Sequence, residues 1–263
     1  MPELYVNHHS KVHQMDARVK VILTLVWVFS VSFLPFSAWL AFIAHESMII
    51  SILWLSRIGM GSIAKRSLLA LPFALAALPL VFSGPAPHLP LLHLNDLQIF
   101  YSPSGAVRFT GIVLKSMLSI QVASLLAATT SFPNILQALR QLRFPELLIA
   151  IIGFMWRYLY LMRDEVTRML RARTSRSAVI PGAHHGGGSL PWRAGVAGGM
   201  VGNLFLRSLE RSDRVYQAMV SRGYNGELPP YPTTSLSKQD TAALVFGMST
   251  LMLIGLLGVL SGV

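Results

Sequence analysis

Two triplets stand out by residue type and position: Ser175-Arg176-Ser177 and Ser221-Arg222-Gly223. In each, an arginine lies between small residues. A guanidinium is a planar, permanently charged fork of donors that fits a carboxylate or a row of carbonyls. Small neighbours let the backbone beside it approach another protein closely. The chemistry on offer is docking into a groove, not bond making. Ala172 and Arg173 precede the first triplet and Ala218 and Met219 the second. Arg173 offers a competing register for the first arginine.

Other reactive groups form no catalytic set. Catalysis needs a nucleophile, or a paired acid and base within reach of each other. The few acids mostly have an arginine nearby in sequence, Asp16 with Arg18, Asp164 with Arg168 and Asp213 with Arg214, and read as structural ion pairs. Residues Gly59 to Arg66 resemble a phosphate loop, but Ala64 stands where the last glycine is required and Arg66 replaces the metal-binding hydroxyl. His8, His9 and His13 lie close together, as do His184 and His185; nitrogen ligands suit nickel or cobalt, yet no carboxylate is spaced to complete a site. A solvated polar tail is the simpler reading. The absence of cysteine excludes disulfides and thiolate metal sites. Lys115 lies inside an apolar run, where a charge is costly; it is a functional candidate, or else it snorkels or faces a partner.

The elements that carry these groups belong to a membrane protein. Of 263 residues 53% are hydrophobic and only 13% charged, a composition typical of multi-span chains. The net charge of +11 would suggest nucleic acid in a soluble protein; here it marks cytoplasmic loops that obey the positive-inside rule. Met1 to Lys20 is polar and has no signal-peptide pattern. The run from Val19 to Leu55 is too long for one span and is expected to break at Pro35-Phe36-Ser37 into a hairpin. Arg57, Lys65 and Arg66 mark the return to the cytoplasm. A third span is expected over Ser67 to Phe82, bent at Pro72 and Pro79, then an external loop over residues 84–107, then a fourth span from Gly105 to Thr129.

From residue 131 arginines become frequent, so the segment is cytoplasmic or interfacial. Ile152, Met155, Leu159, Met162, Val166 and Met169 make one apolar stripe at helical spacing. A second helix repeats the design, with Phe205, Leu209, Val215, Tyr216 and Met219 on one side and Arg207, Arg211 and Arg214 on the other. Gly223 is placed to end it. Between the helices, residues 181–189 read as a flexible linker. Gly195 and Gly199, with Gly198 and Gly202, permit close helix contact. A last span is expected over Thr241 to Leu260. The expected architecture is an all-α integral membrane protein with about five transmembrane helices: a membrane region of four spans over residues 1–130, a cytoplasmic or interfacial module of long amphipathic helices over 131–237 and a final span over 238–263.

Four stretches carry a resemblance. Ala218-Met219-Val220-Ser221-Arg222-Gly223-Tyr224 is close to "AMxSRGY", and the run from Met169 to Ser177 resembles a companion motif ending in Ala-Arg-Gly or Ala-Arg-Ser. Met15-Asp16-Ala17-Arg18-Val19-Lys20 is similar to "LDPRxK". Leu142-Arg143-Phe144-Pro145-Glu146-Leu147-Leu148, followed by Trp156-Arg157-Tyr158-Leu159 and Asp164-Glu165, is similar to "LRxPxLL…YRYLxxLxDE". Together, and in this order, they resemble the transmembrane T component of energy-coupling factor transporters, the cobalt/nickel type called CbiQ. The first triplet departs from the pattern by having Ser175 and Ser177 around the arginine.

The resemblance implies a multi-pass, non-catalytic subunit of the bacterial cytoplasmic membrane. Its partners would be two cytoplasmic ATP-binding-cassette subunits, which hold ATP and magnesium, and a small membrane subunit that binds cobalt or nickel. An additional small membrane subunit is left open; no nucleic acid and no cofactor on this chain are implied. Arg176 and Arg222 would dock in grooves of the ATPases and pass their motion to the substrate-binding subunit. The main rival is a self-contained channel or secondary carrier built around Lys115. A lipid-acting enzyme and an arginine-rich membrane anchor are the other rivals.

Overall fold

The computed structural model describes Tyr5 and residues 10–82, 89–94, 97–176, 189–226 and 235–261. The chain divides into two compact units, Met1–Arg143 with Thr234–Val263, and Phe144–Thr233.

The first unit opens with α1 (Lys11–Gln14) and α2 (Ala17–Phe33). Asp16 caps α2: its carboxylate accepts from the Arg18 amide at 2.9 Å and lies 3.5 Å from Arg18 Nε, so the expected pair forms. The turn at Pro35-Phe36-Ser37 leads into α3 (Trp39–Ser56), as the proline requires. After it come α4 (Met60–Ser67), a 3-10 turn at Leu68–Ala70, α5 (Leu71–Ala76) and α6 (Pro79–Phe82). The expected third span is therefore not one helix. Pro72 and Pro79 bring no amide hydrogen, and the amides of Leu78, Leu80 and Val81 bond three residues back instead of four.

The expected external loop also needs correction. It contains an antiparallel hairpin of β1 (Leu89–Leu94) and β2 (Leu97–Tyr101), paired from Leu89 with Tyr101 to Leu94 with Leu97. Asn95-Asp96 between two short apolar runs is the sequence signal for it. Ser102 caps α7 (Pro103–Thr129), with proline at its first position. Then follow α8 (Phe132–Gln141), α9 (Glu146–Arg176), α10 (Leu190–Ser221) and α11 (Lys238–Ser261). Helices α3, α7 and α11 are long and apolar enough to cross a membrane. α2, at 17 residues, sits at the lower bound for a span. The chain is an all-α membrane protein apart from the small hairpin.

The core of the first unit joins α2, α3 and α7, with Trp27, Val31, Ile49, Leu118 and Val122 buried, and α11 adds Leu251. Glycines let the helices close on one another. A Cβ at Gly247 would meet Leu23 of α2, one at Gly258 would meet Leu34 and Ala41, and one at Gly111 would meet Phe36. Buried His45 bridges α3 and α2, with Nδ1 2.8 Å from the Ala41 carbonyl and Nε2 3.4 Å from Ser30 Oγ.

Two lysines tie α2 and α7 together reciprocally. Lys20, near the start of α2, is 9% exposed and donates to the carbonyls of His13 (3.0 Å) and Thr129 (3.2 Å), the latter ending α7. Lys115, midway along α7, donates to the carbonyl of Ser32 at 3.0 Å, near the end of α2. Its ammonium also sits 4.5 Å over the ring of Phe36. Each helix thus sends a cation to the carbonyl end of its antiparallel neighbour, where unpaired carbonyls and the helix dipole favour positive charge. The partners of Lys115 lie within its own chain. Asp16 adds a link to α11, its amide donating to Asp240 Oδ1 at 3.2 Å.

Candidate functional site

The second unit is built from two helices of 31 and 32 residues, about 45–50 Å each. Leucine, methionine, arginine and glutamate, all good helix formers, dominate α9, and Pro191 lies within the first turn of α10. Both expected apolar stripes fall on continuous helix. They are only partly covered: α9 buries only Ile149, and α10 buries no side chain fully. Met155 is 56% exposed, Phe205 61% and Tyr216 61%. So much uncovered apolar surface on amphipathic helices marks an interaction face. Gly195, Gly198, Gly199 and Gly202 likewise meet nothing within 4 Å.

The two arginine triplets close these helices. Arg176 is the last residue of α9, and Ser175 Oγ donates back to the Ala172 carbonyl at 3.0 Å. Ser177 lies outside the described residues. At the end of α10, Ser221 Oγ donates to the Gln217 carbonyl at 2.7 Å. Each serine hydroxyl is folded onto its own helix, leaving the arginine as the projecting group. Arg176 and Arg222 are both exposed, whereas Arg173, one turn before Arg176, is half-buried. Ala172, Ala218 and Met219 lie on the last turns of these helices.

Arg222 is held by a full C-terminal cap. Gly223 adopts φ +86°, its amide donates to Val220 at 2.9 Å, and the Tyr224 amide donates to Met219 at 3.0 Å. These are the two bonds of a Schellman motif, which needs a residue that accepts a left-handed backbone. The expectation for Gly223 holds. The motif Ala218 to Tyr224 thereby encodes a fixed stop with an arginine on its brink.

Upstream, the helices meet through charge. Glu165 of α9 pairs with Arg168 on its own helix and with Arg207 of α10. By sequence spacing alone Arg168 is expected to pair with Asp164. On a helix, Arg168 is one turn from both acids, and it pairs with Glu165, which also reaches Arg207 of α10. The missed signal was an acid inside the apolar stripe between Met162 and Met169. From this crossing, Arg176 lies 11 residues on and Arg222 lies 15 residues beyond Arg207, arms of roughly 16 Å and 22 Å.

The hydrogen bond from Arg168, then that from Arg207, holds the Glu165 carboxyl below the usual glutamate value. A lowered acid contributes fully above its unfolded value, and the contribution fades as pH falls through the lowered one. Spin labels on α9 and α10 of this cysteine-free chain are therefore expected to keep one distance from neutral to mildly acidic pH and to broaden below the glutamate range. Glu165→Gln should broaden the distribution at every pH. An unchanged distribution in Glu165→Gln would show that packing alone sets the crossing.

The remaining chemistry-bearing groups lie elsewhere. His13 contacts Ser10 Oγ through Nδ1 at 2.7 Å and stacks edge-on with Tyr5 at 6.2 Å. His8, His9, His184 and His185 lie outside the described residues. Among the described residues no three of His, Asp and Glu gather to hold a metal ion.

A family model described as CbiQ, cobalt transport protein, matches residues 8–231, from the N-terminal tail through both arginine-tipped helices. The chain belongs to this family. An energy-coupling factor transporter transmembrane protein EcfT of Lactobacillus helveticus is 26% identical over 96% of this chain and 91% of its own length. The cobalt transport protein CbiQ of Rhodobacter capsulatus is 23% identical over 68% of this chain and 70% of its own length. A nickel permease, LarQ, of Lactiplantibacillus plantarum is 33% identical over 52% of this chain and 48% of its own length. A CbiQ-family protein is thus a membrane component of transport systems related to the energy-coupling factor type.

Proposed function

We propose that this chain is the transmembrane coupling subunit of an ATP-driven importer for cobalt or nickel. The reading is carried by one observation: a family member whose second unit buries almost nothing of its own and ends both long helices in an exposed arginine. A partly covered amphipathic pair is made to be covered by other subunits. In this reading Arg176 and Arg222 dock into two ATP-binding-cassette subunits, which bind and hydrolyse ATP with magnesium. The apolar faces carry the resulting movement to a small membrane subunit that binds the metal. The chain itself is non-catalytic, holds no cofactor and resides in the cytoplasmic membrane. The names of relatives include both a cobalt transporter and a nickel permease, so the metal is assigned to the class only.

The rival channel built around Lys115 loses its main support, because that ammonium is engaged by the Ser32 carbonyl and the Phe36 ring. The test is co-expression of the chain with a cassette-ATPase pair and a substrate-binding subunit. Co-purification and ATP-dependent uptake of cobalt or nickel are expected. Metal flux through vesicles holding the chain alone would refute the reading.

A further inference from the structure

An open cleft of ≈ 730 Å³ lies in the first unit, between the start of α1 and the end of α3. Its rim carries Lys11 and Arg57, and its walls carry Trp54, Leu55, Ile58 and Met60. Nothing in the coupling role uses it.

Three features give the cleft a chemical character. First, the two cations lack an acid: among the described residues neither Lys11 nor Arg57 takes part in an ion pair. Second, Arg57 holds the left-handed conformation (φ 57°), a position where glycine ordinarily ends a helix. The fold keeps a long cation at a strained corner where a smaller residue would sit more easily. Third, the wall is apolar and outward-facing, with Trp54 86% exposed, Leu55 52% and Met60 55%. Tryptophan at the end of a membrane helix sits at the level of the lipid headgroups. Two unpaired cations above such a wall complement a ligand with an anionic head and an apolar body. A free phosphate would leave the wall without a use, and a peptide partner would call for donors and acceptors along it.

We propose that this cleft binds an anionic phospholipid of the cytoplasmic leaflet. Lys11 and Arg57 engage its phosphate; Trp54, Leu55 and Met60 line the first part of its acyl chains. The leaflet assignment follows from the basic residues at this end of α3, and anionic lipid is concentrated there. Nanodiscs present both leaflets, so a wrong sidedness leaves the binding result unchanged and would appear separately, as labelling of Lys11→Cys from outside the cell.

The test uses the full chain in nanodiscs of mixed phosphatidylglycerol and phosphatidylcholine, followed by native mass spectrometry of the retained lipid. Wild type is expected to retain phosphatidylglycerol selectively. The double variant Lys11→Gln/Arg57→Gln should lower that retention by about 30-fold, the effect of two basic groups near a charged surface. Lys11→Arg/Arg57→Lys should keep it, which separates lost charge from a lost fold. Trp54→Ala should weaken retention of both lipids. Lys238→Gln, a basic residue at the start of α11 that does not line the cleft, should change nothing. Wild-type retention in the glutamine pair would overturn the proposal, as would an equal loss in Lys238→Gln. Displacement of the lipid by millimolar inorganic phosphate would also overturn it, since that marks a simple anion site.

Discussion

Alanine at both Arg176 and Arg222 is expected to abolish transport and detach the ATPases while leaving the protein inserted and monodisperse. A guanidinium desolvated in a groove and bonded there costs ~2–5 kcal/mol when truncated, because its partner is left buried and unpaired. That is a loss of between about 30-fold and several thousandfold in affinity for each site. Among the described residues neither arginine has a side-chain partner to lose, so the fold should not notice. Arg214→Ala, on the flank of α10, is the control; an exposed charge there is worth ~0–1 kcal/mol. Arg222→Ala should show the larger single effect, since the Gly223 cap fixes the backbone that carries that side chain. Comparing Arg173→Ala with Arg176→Ala decides the register of the first triplet. Undiminished ATPase binding and metal uptake in the double variant would remove the coupling role from these residues.

The second large effect is expected at Lys20. Its ammonium is buried and serves two carbonyls, those of His13 and Thr129. Lys20→Met keeps the bulk of the stem but removes the donor that serves both carbonyls. A buried polar group that loses its hydrogen bond costs ~1–3 kcal/mol, so up to ~2–6 kcal/mol of stability should disappear. The readout is unfolding of the purified protein in detergent by heat, with Lys20→Arg expected to recover part of the loss. If Lys20→Met melts with wild type, the two carbonyls find water or other donors and the lysine is dispensable.

Much of this arrangement is legible in the residues themselves. The helical periodicity of residues 152–169 and 205–219 gave α9 and α10, and Gly223 was recognisable as a stop because only a left-handed residue closes a Schellman motif. The hairpin α2/α3 followed from one proline. Errors arose where several weak preferences compete. Between Ser67 and Phe82 the hydropathy says span while two prolines say otherwise, and the backbone obeys the prolines. The strands at 89–101 were hidden because a loop inside a membrane protein is expected to be irregular. Sequence spacing favours Asp164 over Glu165 because pairing along one helix is visible in sequence, whereas pairing across two helices depends on a crossing point that is not. For the same reason Lys115 looked like an unpaired charge in the bilayer; its partners, Ser32 and Phe36, are about 80 residues earlier.

That last contact has a consequence for biogenesis. A lysine at the middle of a spanning helix costs roughly 2.5–3.5 kcal/mol to insert unaided. The carbonyl that accepts from it lies on α2, which leaves the ribosome long before α7. The first hairpin can therefore be in the bilayer, with the end of α2 exposed, when α7 reaches the translocon. Its lysine then has a docking point ready, and lateral release of α7 becomes coupled to recognition of α2. In the opposite direction, the carbonyl that closes α7 waits for Lys20, which is already in place. The pair of reciprocal caps thus acts as an assembly check: a truncated chain lacking the first hairpin should leave α7 poorly inserted and open to membrane quality-control proteases.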